Sequence, residues 1–454
     1  MIRLFFGSIA ASLFVIAPVQ NAAASQPSNA HSFAQFCRDL QAKDGFSANP
    51  EEIANLATGF AAEFATKSQW RFDRHEIRQR GPATHLQFIF QTDQNMTARL
   101  WTVFMSGRLR GMRGEILQGK TPLSLSAFTP NCMIIEKRQI TYLDDGRMQY
   151  VMIQKNGELD DKVWINPPPI RPAAPSSPKQ NHHLRIGHID SGIDYQRPAF
   201  QQYLIYDQTG TLVARDMWDG DNLPFDASLD QSPFYPQSHG SYVVDILHQS
   251  GAGFQLLPLR YPRPNMALMG DAVDWLAAQN ARIVMMPLGS QSPDDWTYFF
   301  AAAARHPEIL FIISAGNNGV DLGELPIYPA VNALDNAITV TSTMPDGRLA
   351  EGSNFGMAVD IGLPAENLLA TGVNARQRMM SGSSFAVPKL TAYVICIAKA
   401  ATPAHPNGKA LAQAVKASLR PAKSAAGYRQ FLSDSHLDAT CKPYRQDTKA
   451  KIKD

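Results

Sequence analysis

Charge is scarce in this chain, and what there is nearly cancels. Lysine and arginine number 42 against 40 acidic residues, a net charge of +2, and charged residues make up 18% of the 454 positions. So close a balance gives no electrostatic argument for a nucleic-acid partner or for a strongly acidic substrate. The locally basic stretches, 71–80 and the last residues, read as solvated surface. Cysteine is also sparse: Cys37, Cys132, Cys396 and Cys441 are the only four, and no Cys–His pair has the close spacing of a metal site. The apolar run Leu4 to Val19 is too short to span a bilayer comfortably. It follows the positive start Met1-Ile2-Arg3 and precedes the small residues Ala22-Ala23-Ala24, so residues 1–24 read as a secretory signal peptide cut before Ser25, with an uncleaved anchor as the alternative. No cysteine closely follows the run, which argues against a lipoprotein anchor. The expectation is an exported protein, periplasmic or extracellular, with no stable membrane insertion once the signal is removed.

An exported chain of this length is long for one domain. The break lies at Asn166-Pro167-Pro168-Pro169-Ile170-Arg171-Pro172, too rich in proline for a helix or a central strand, and residues 166–183 read as a semi-rigid linker. An even number of cysteines outside the cell predicts disulfides, with three pairings open. The domain division favours Cys37–Cys132 and Cys396–Cys441, the second tying down a C-terminal tail, 433–454.

The segment 184–432 carries chemistry. Its apolar runs at Leu184, Leu256, Ile283, Ile309 and Ala337 alternate with helix-like stretches at His239, Asp271, Trp296, Ser384 and Ala410. That alternation predicts an α/β fold, a doubly wound parallel sheet with helices on both faces. Asp190 closes a strand-length run in His188-Ile189-Asp190-Ser191-Gly192, at the carboxyl edge where such sheets place their sites. His239, in Ser238-His239-Gly240-Ser241, begins a helical stretch, and Ser384, in Gly382-Ser383-Ser384-Phe385-Ala386-Val387-Pro388, sits at a helix N-terminus with proline in the first turn. A serine hydroxyl becomes a useful nucleophile when an imidazole takes its proton, and the imidazole needs a carboxylate to fix its tautomer. Asp190, His239 and Ser384 fill those three roles, and a helix N-terminus favours the developing negative charge. Asp-Ser-Gly or His-Gly alone is an ordinary turn, the segment around Ser384 is more specific, and their joint order carries the argument.

These three segments, with Ser314-Ala315-Gly316-Asn317-Asn318-Gly319 as a fourth, resemble the subtilisin-like serine proteases, and the likeness runs from about Leu184 to Leu432. Asp, His and Ser in that order are the subtilisin order. Ile327-Tyr328-Pro329-Ala330, Ala337-Ile338-Thr339-Val340 and Ser353-Asn354-Phe355-Gly356 extend it. The resemblance implies a serine endopeptidase in which Asn317 donates to the oxyanion and Ser384, two residues after Gly382, is the nucleophile, Ser383 being a structural hydroxyl. It implies that Leu288 and Gly289 pair with extended substrate, and that Ser314, Ala315, Gly316 and Ile327 border the pocket for the residue before the cut. No cofactor is required and no metal site is assigned. Asp216, Asp219, Asp221, Asp226 and Asp230 crowd one loop, which reads as a solvated surface more readily than as a calcium site. His188 reads as a packed core histidine.

The chain departs from the family at several places. Tyr242 stands where a second histidine is usual, Pro287 begins the substrate-pairing segment, Leu363-Pro364-Ala365 replaces Ala-Pro-Gly, and Phe385 replaces the methionine beside the nucleophile. The altered substrate strand and turn motivate a competing reading, a binding or regulatory protein on the same fold with little turnover; a third is a narrow processing protease activated by a partner, with the N-terminal domain as its recognition module.

Residues 25–165 carry no motif. Asn49-Pro50-Glu51-Glu52 starts a helix whose apolar face is Ile53, Leu56, Ala57, Phe60 and Phe64. Runs flanking Asp93-Gln94-Asn95 and Asp144-Asp145-Gly146 read as hairpins. A smaller N-terminal α+β domain follows. By resemblance it is either a prodomain that binds the catalytic domain until cleaved or a retained accessory domain.

Overall fold

The computed structural model describes residues 27–43, 50–68, 70–92, 96–169, 184–331, 334–401, 407–422 and 427–445. Residues 1–24, expected to be a signal peptide, and most of the expected linker lie outside the described residues. The chain divides after Trp164 into two compact units.

The first unit has helices α1 (Pro27–Gln41) and α2 (Pro50–Ser68) and eight strands: β1 (Arg71–Arg80), β2 (Ala83–Gln91), β3 (Met96–Met105), β4 (Arg108–Gln118), β5 (Thr121–Phe128), β6 (Ile134–Tyr142), β7 (Met148–Lys155) and β8 (Glu158–Trp164). The strands pair antiparallel in sequence order. Both expected hairpins are present, as β2–β3 and β6–β7. Helix α1 is an addition, although Phe33, Phe36, Cys37 and Leu40 carry its helical spacing and are all buried. Phe36 meets Phe60, Phe64, Phe88 and Phe90 edge to face at 5.0, 4.9, 5.2 and 5.8 Å between centroids. Such pairs add about 0.5–1.5 kcal/mol each beyond area burial. Gly114 on β4 permits this packing, since a Cβ there would lie 2.6 Å from the Phe33 ring. Cys37 and Cys132 form a disulfide with Cα atoms 5.6 Å apart.

The second unit is built on a nine-stranded sheet. Its strands are β9 (Arg185–Asp190), β10 (Arg215–Asp216), β11 (Gln255–Arg260), β12 (Ile283–Met286), β13 (Leu310–Ser314), β14 (Ala337–Thr343), β15 (Ile361–Pro364), β18 (Arg420–Pro421) and β19 (Gln430–Phe431), in the order β10-β11-β9-β12-β13-β14-β15-β19-β18. All pair parallel except β18 with β19. A separate hairpin joins β16 (Leu368–Thr371) and β17 (Gln377–Met380). The expected doubly wound α/β sheet is therefore the observed one.

Helices α3 (Pro198–Gln201), α4 (Gly240–Gln249), α5 (Met269–Ala278), α6 (Thr297–Arg305), α7 (Ser383–Ala400), α8 (Gly408–Ala417) and α9 (Asp434–Cys441) surround it. Side chains alternate across each strand. Ile189, Leu257, Leu259, Val284, Met286, Phe311 and Ile313 join the core under α5 and α6. Gly187 also faces α5, where a Cβ would press on Leu276 at 3.0 Å. The alternate positions His188 and Asp190 thereby turn toward α4, which fixes the face on which chemistry is assembled. Helix α9 is joined to α7 by the Cys396–Cys441 disulfide, with Cα atoms 5.4 Å apart, so both cysteine pairs are those the domain division favours. Among the described residues no helix is long and apolar enough to cross a membrane.

Candidate active site

Asp190 ends β9 and is 3% exposed. His239 precedes α4, and its Nδ1 lies 2.9 Å from each oxygen of Asp190. An ionised carboxylate only accepts, so Nδ1 carries the proton and Nε2 keeps its lone pair free for a base. Burial opposes the charged form of the imidazole. The charge and hydrogen bond of Asp190, with Asp226 behind it, outweigh burial and hold His239 above its ordinary value. For Asp190 burial likewise opposes ionisation, but His239 and His188 hold its carboxyl well below the usual range.

The start of α4 is held from outside the helix. Asp226 Oδ1 accepts from the backbone N–H of His239 at 3.0 Å, and Oδ2 accepts from that of Ser241 at 2.7 Å. Ser191 Oγ donates to Asp226 at 2.6 Å and accepts from the Gly240 N–H at 3.1 Å. Helix-end donors that would lack intrahelical partners are thus satisfied by a buried carboxylate, which the positive helix end favours. Gly240 is required here, because a Cβ would fall 2.0 Å from the Gly192 carbonyl oxygen.

The acidic loop differs from the solvated surface expected of it. Asp216 and Asp226 are buried, Asp219 and Asp221 half-buried, and only Asp230 exposed. Arg260, fully buried at the end of β11, draws Asp216 Oδ2 to 3.1 Å and Asp219 Oδ2 to 3.3 Å and donates to the Ala227 carbonyl at 2.6 Å. The run Gln-Leu-Leu-Pro-Leu-Arg hid this cation, since its apolar neighbours read simply as strand. Sequence reasoning also missed the capping role of Asp226, and the serine of Asp-Ser-Gly was the available signal.

Ser384 lies in the first turn of α7, after Gly382, which has φ +117°. Its Oγ donates to the Pro287 carbonyl at 3.4 Å, and among the described residues no hydrogen bond joins it to His239. The neighbouring Phe385 ring packs on the His239 imidazole, 5.6 Å between centroids. Ser383 is buried in a hydroxyl network: it lies 2.7 Å from Ser314 Oγ, accepts from the Gly316 N–H at 3.1 Å and donates to Asn317 Oδ1 at 2.9 Å. Asn317 follows β13 and is exposed. Ala315 is buried in the core beneath, and Gly316 is half-buried. Leu288 is half-buried and Gly289 exposed just beyond β12, where Ser290 exchanges backbone hydrogen bonds with Tyr328 at 2.9 and 2.8 Å. A Cβ on Gly289 would meet the Tyr328 carbonyl oxygen at 2.9 Å and Ile327 Cγ2 at 3.0 Å.

A doubly wound sheet that brings an imidazole onto a buried carboxylate at its carboxyl edge, with a serine at a nearby helix N-terminus, defines a class of α/β serine hydrolases. Within that class the chain belongs to the subtilase family, whose model matches residues 181–426. It is 24% identical over 230 residues to halolysin of Haloferax mediterranei, covering 45% of this chain and 39% of that protein. It is 28% identical over 166 residues to a minor extracellular protease of Bacillus subtilis, covering 37% of this chain and 23% of the other. The chain thus spans under two fifths of the length of either relative. Among solved structures, a cold-adapted subtilisin-like serine proteinase aligns at 19% identity and TM-score 0.42, over 55% of this chain and 88% of that one.

Proposed function

We propose that the protein is an exported serine endopeptidase that cleaves protein or peptide substrates through an acyl-enzyme intermediate. Ser384 Oγ attacks the scissile carbonyl, His239 Nε2 takes the proton and returns it to the leaving amine, and Asp190 holds the imidazole in register. The Asn317 amide, with a backbone N–H at the start of α7, stabilises the oxyanion. Substrate extends along Leu288 and Gly289, with Ser314, Ala315, Gly316 and Ile327 around the residue before the cut. None of these steps calls on a cofactor, a metal or nucleic acid. The observation that carries the reading is the bond from His239 Nδ1 to the buried Asp190, which leaves Nε2 as the available base.

Export is supported by the start of the sequence, by two disulfides that suit an oxidising compartment, and by the extracellular relative. Residues 25–165 are then either a prodomain removed by the enzyme itself or a retained accessory domain. A second reading, a processing protease switched on by its substrate or a partner, is favoured by Ser384 donating to Pro287 rather than to His239.

The test is fluorophosphonate labelling and intact mass of the secreted protein beside Ser384→Ala. Labelling of the wild type alone supports the enzyme. A wild type shortened to begin near the linker, with the mutant full-length, identifies a self-removed prodomain. Labelling only when substrate is added supports the second reading, and no labelling of folded protein under either condition defeats both.

A further inference from the structure

His188 is a fully buried imidazole that the mechanism above leaves unused. It lies on β9, two residues before Asp190 and on the same face, and among the described residues neither of its ring nitrogens has a partner at hydrogen-bond geometry. Buried polar groups are nearly always paired, so such an exception calls for a physical account. Nε2 stands 3.3 Å from Asp190 Oδ2, so the carboxylate lies between two imidazoles, His239 on one side and His188 on the other. The ring is held in place by its surroundings. Its Cε1 would lie 2.9 Å from a Cβ on Gly240, and Pro258 and Met285 are its neighbours in register on the flanking strands. An apolar side chain would fill this position without leaving two nitrogens unsatisfied, and the cost is recovered only if the ring acts on Asp190.

We infer that His188 is a positioning residue: its Nε2–H binds Asp190 Oδ2, restrains rotation of the carboxylate, and draws off part of the negative charge that would otherwise raise the basicity of His239. The inference rests on the reading that Asp190, His239 and Ser384 act together. The titratable and charged groups that face this centre are few. Asp190 is on β9, His239 and Asp226 meet at the start of α4, Arg260 sits beside Asp190 on β11 but is taken by Asp216 and Asp219, and Tyr261 follows it. From α7 the uncharged Phe385 packs on His239, with Ser384 beside it in the chain.

The experiment compares full-length wild type, His188→Leu and His188→Gln by two readouts. One is the pH dependence of fluorophosphonate labelling; the other is the ring titration of His239, followed by NMR with nitrogen-labelled histidine. His188→Leu removes the donor, so Asp190 acts on His239 alone. Both the acid limb of labelling and the His239 titration then move up by about half to one pH unit, the size of one ordinary hydrogen bond. His188→Gln, which keeps an N–H donor, returns toward wild type. Unchanged His239 titration in both folded variants overturns the inference. If His188→Leu does not fold, the wild type still decides. Its His188 ring should be protonated at Nε2, with a resonance that moves on Asp190→Asn; protonation at Nδ1 alone, or no response, overturns the inference. A wild type that never labels, with His239 still responding to His188, defeats the protease reading and leaves the positioning role standing.

Discussion

Asn317 accepts twice from Ser383: its Oδ1 takes the backbone N–H at 2.8 Å and the hydroxyl at 2.9 Å. An amide whose oxygen is held in this way has its orientation fixed, and its NH2 is turned to the opposite side. Gly382 closes the arrangement, since a Cβ there would lie 2.8 Å from Asn317 Oδ1 and 3.1 Å from Nδ2.

Removal of one oxyanion donor costs about 10²–10³ in rate. Asn317→Ala should therefore slow fluorophosphonate labelling of Ser384 by about that factor, and it should also lower thermal stability, because the backbone N–H of the buried Ser383 loses its acceptor. Gly382→Ala should slow it comparably while leaving Asn317 in the sequence, because the new methyl displaces the amide and strains a backbone at φ +117°. Labelling of Asn317→Ala within threefold of wild type would remove Asn317 from the oxyanion role.

The shift of His239 sets the acid side of the pH profile. A base works only when neutral, and a value raised above about 6.5 delays neutrality to higher pH. Labelling should accordingly rise with an apparent midpoint above about 6.5. In Asp190→Asn burial acts on the imidazole with only the weaker opposing charge of Asp226 left, so the midpoint falls. The rate falls too, by about 10⁴, because the wrong tautomer is then held. A midpoint that Asp190→Asn leaves unmoved would mean that another group titrates.

Phe385 bears on oxidation. A methionine at this position would become a polar sulfoxide against the serine, whereas a phenyl ring packed on His239 does not oxidise under mild peroxide. Wild type should keep its labelling through a peroxide treatment that oxidises Met379, which is 59% exposed, while Phe385→Met loses it. Rapid wild-type inactivation, mapped by mass spectrometry to groups around Ser384, would count against this.

How far the sequence carried these conclusions depended on whether a residue's partner was local. Strand alternation and helix starts were legible because they repeat over short windows, and Asp190 and His239 could be singled out because their neighbours in sequence are distinctive, the structure placing them 2.9 Å apart. The acidic loop was misread because Arg260, its partner, lies on another strand beyond α4, and a carboxylate gives no sign in sequence of whether it meets a buried cation or water. Asp226 was hidden in the same way, its partners being backbone N–H groups of a helix that begins later in the chain. Helix α1 was the opposite case: its spacing was present, but its many polar residues masked it.

The same non-local logic singles out Asp245 and Arg197. Asp245 is 3% exposed on α4, and its Oδ1 lies 2.5 Å from Arg197 Nη2. Its Oδ2 accepts from Gln249 Nε2 at 2.8 Å and from the Thr371 N–H at 2.9 Å, while Arg197 Nη1 donates to the Thr371 carbonyl at 2.7 Å. Both backbone groups of Thr371, at the end of β16, are thereby fixed. Gly372 next to it lies so close to the Tyr242 ring that a Cβ would meet its carbons at 2.4 to 2.7 Å, which gives the tyrosine found in place of the family's second histidine a packing role. This hairpin leads directly into Gly382 and Ser384. Removing one partner of a buried ion pair leaves an uncompensated charge and costs about 3–5 kcal/mol, whereas replacing both with apolar groups is often neutral. Asp245→Ala should thus lower stability to urea by about that amount, and Arg197→Met with Asp245→Leu should recover much of it. The double variant should still label more slowly than wild type, because it restores packing without the two hydrogen bonds that hold Thr371. Full recovery of labelling in the double variant would show that the pair serves stability alone and has no part in aligning the serine.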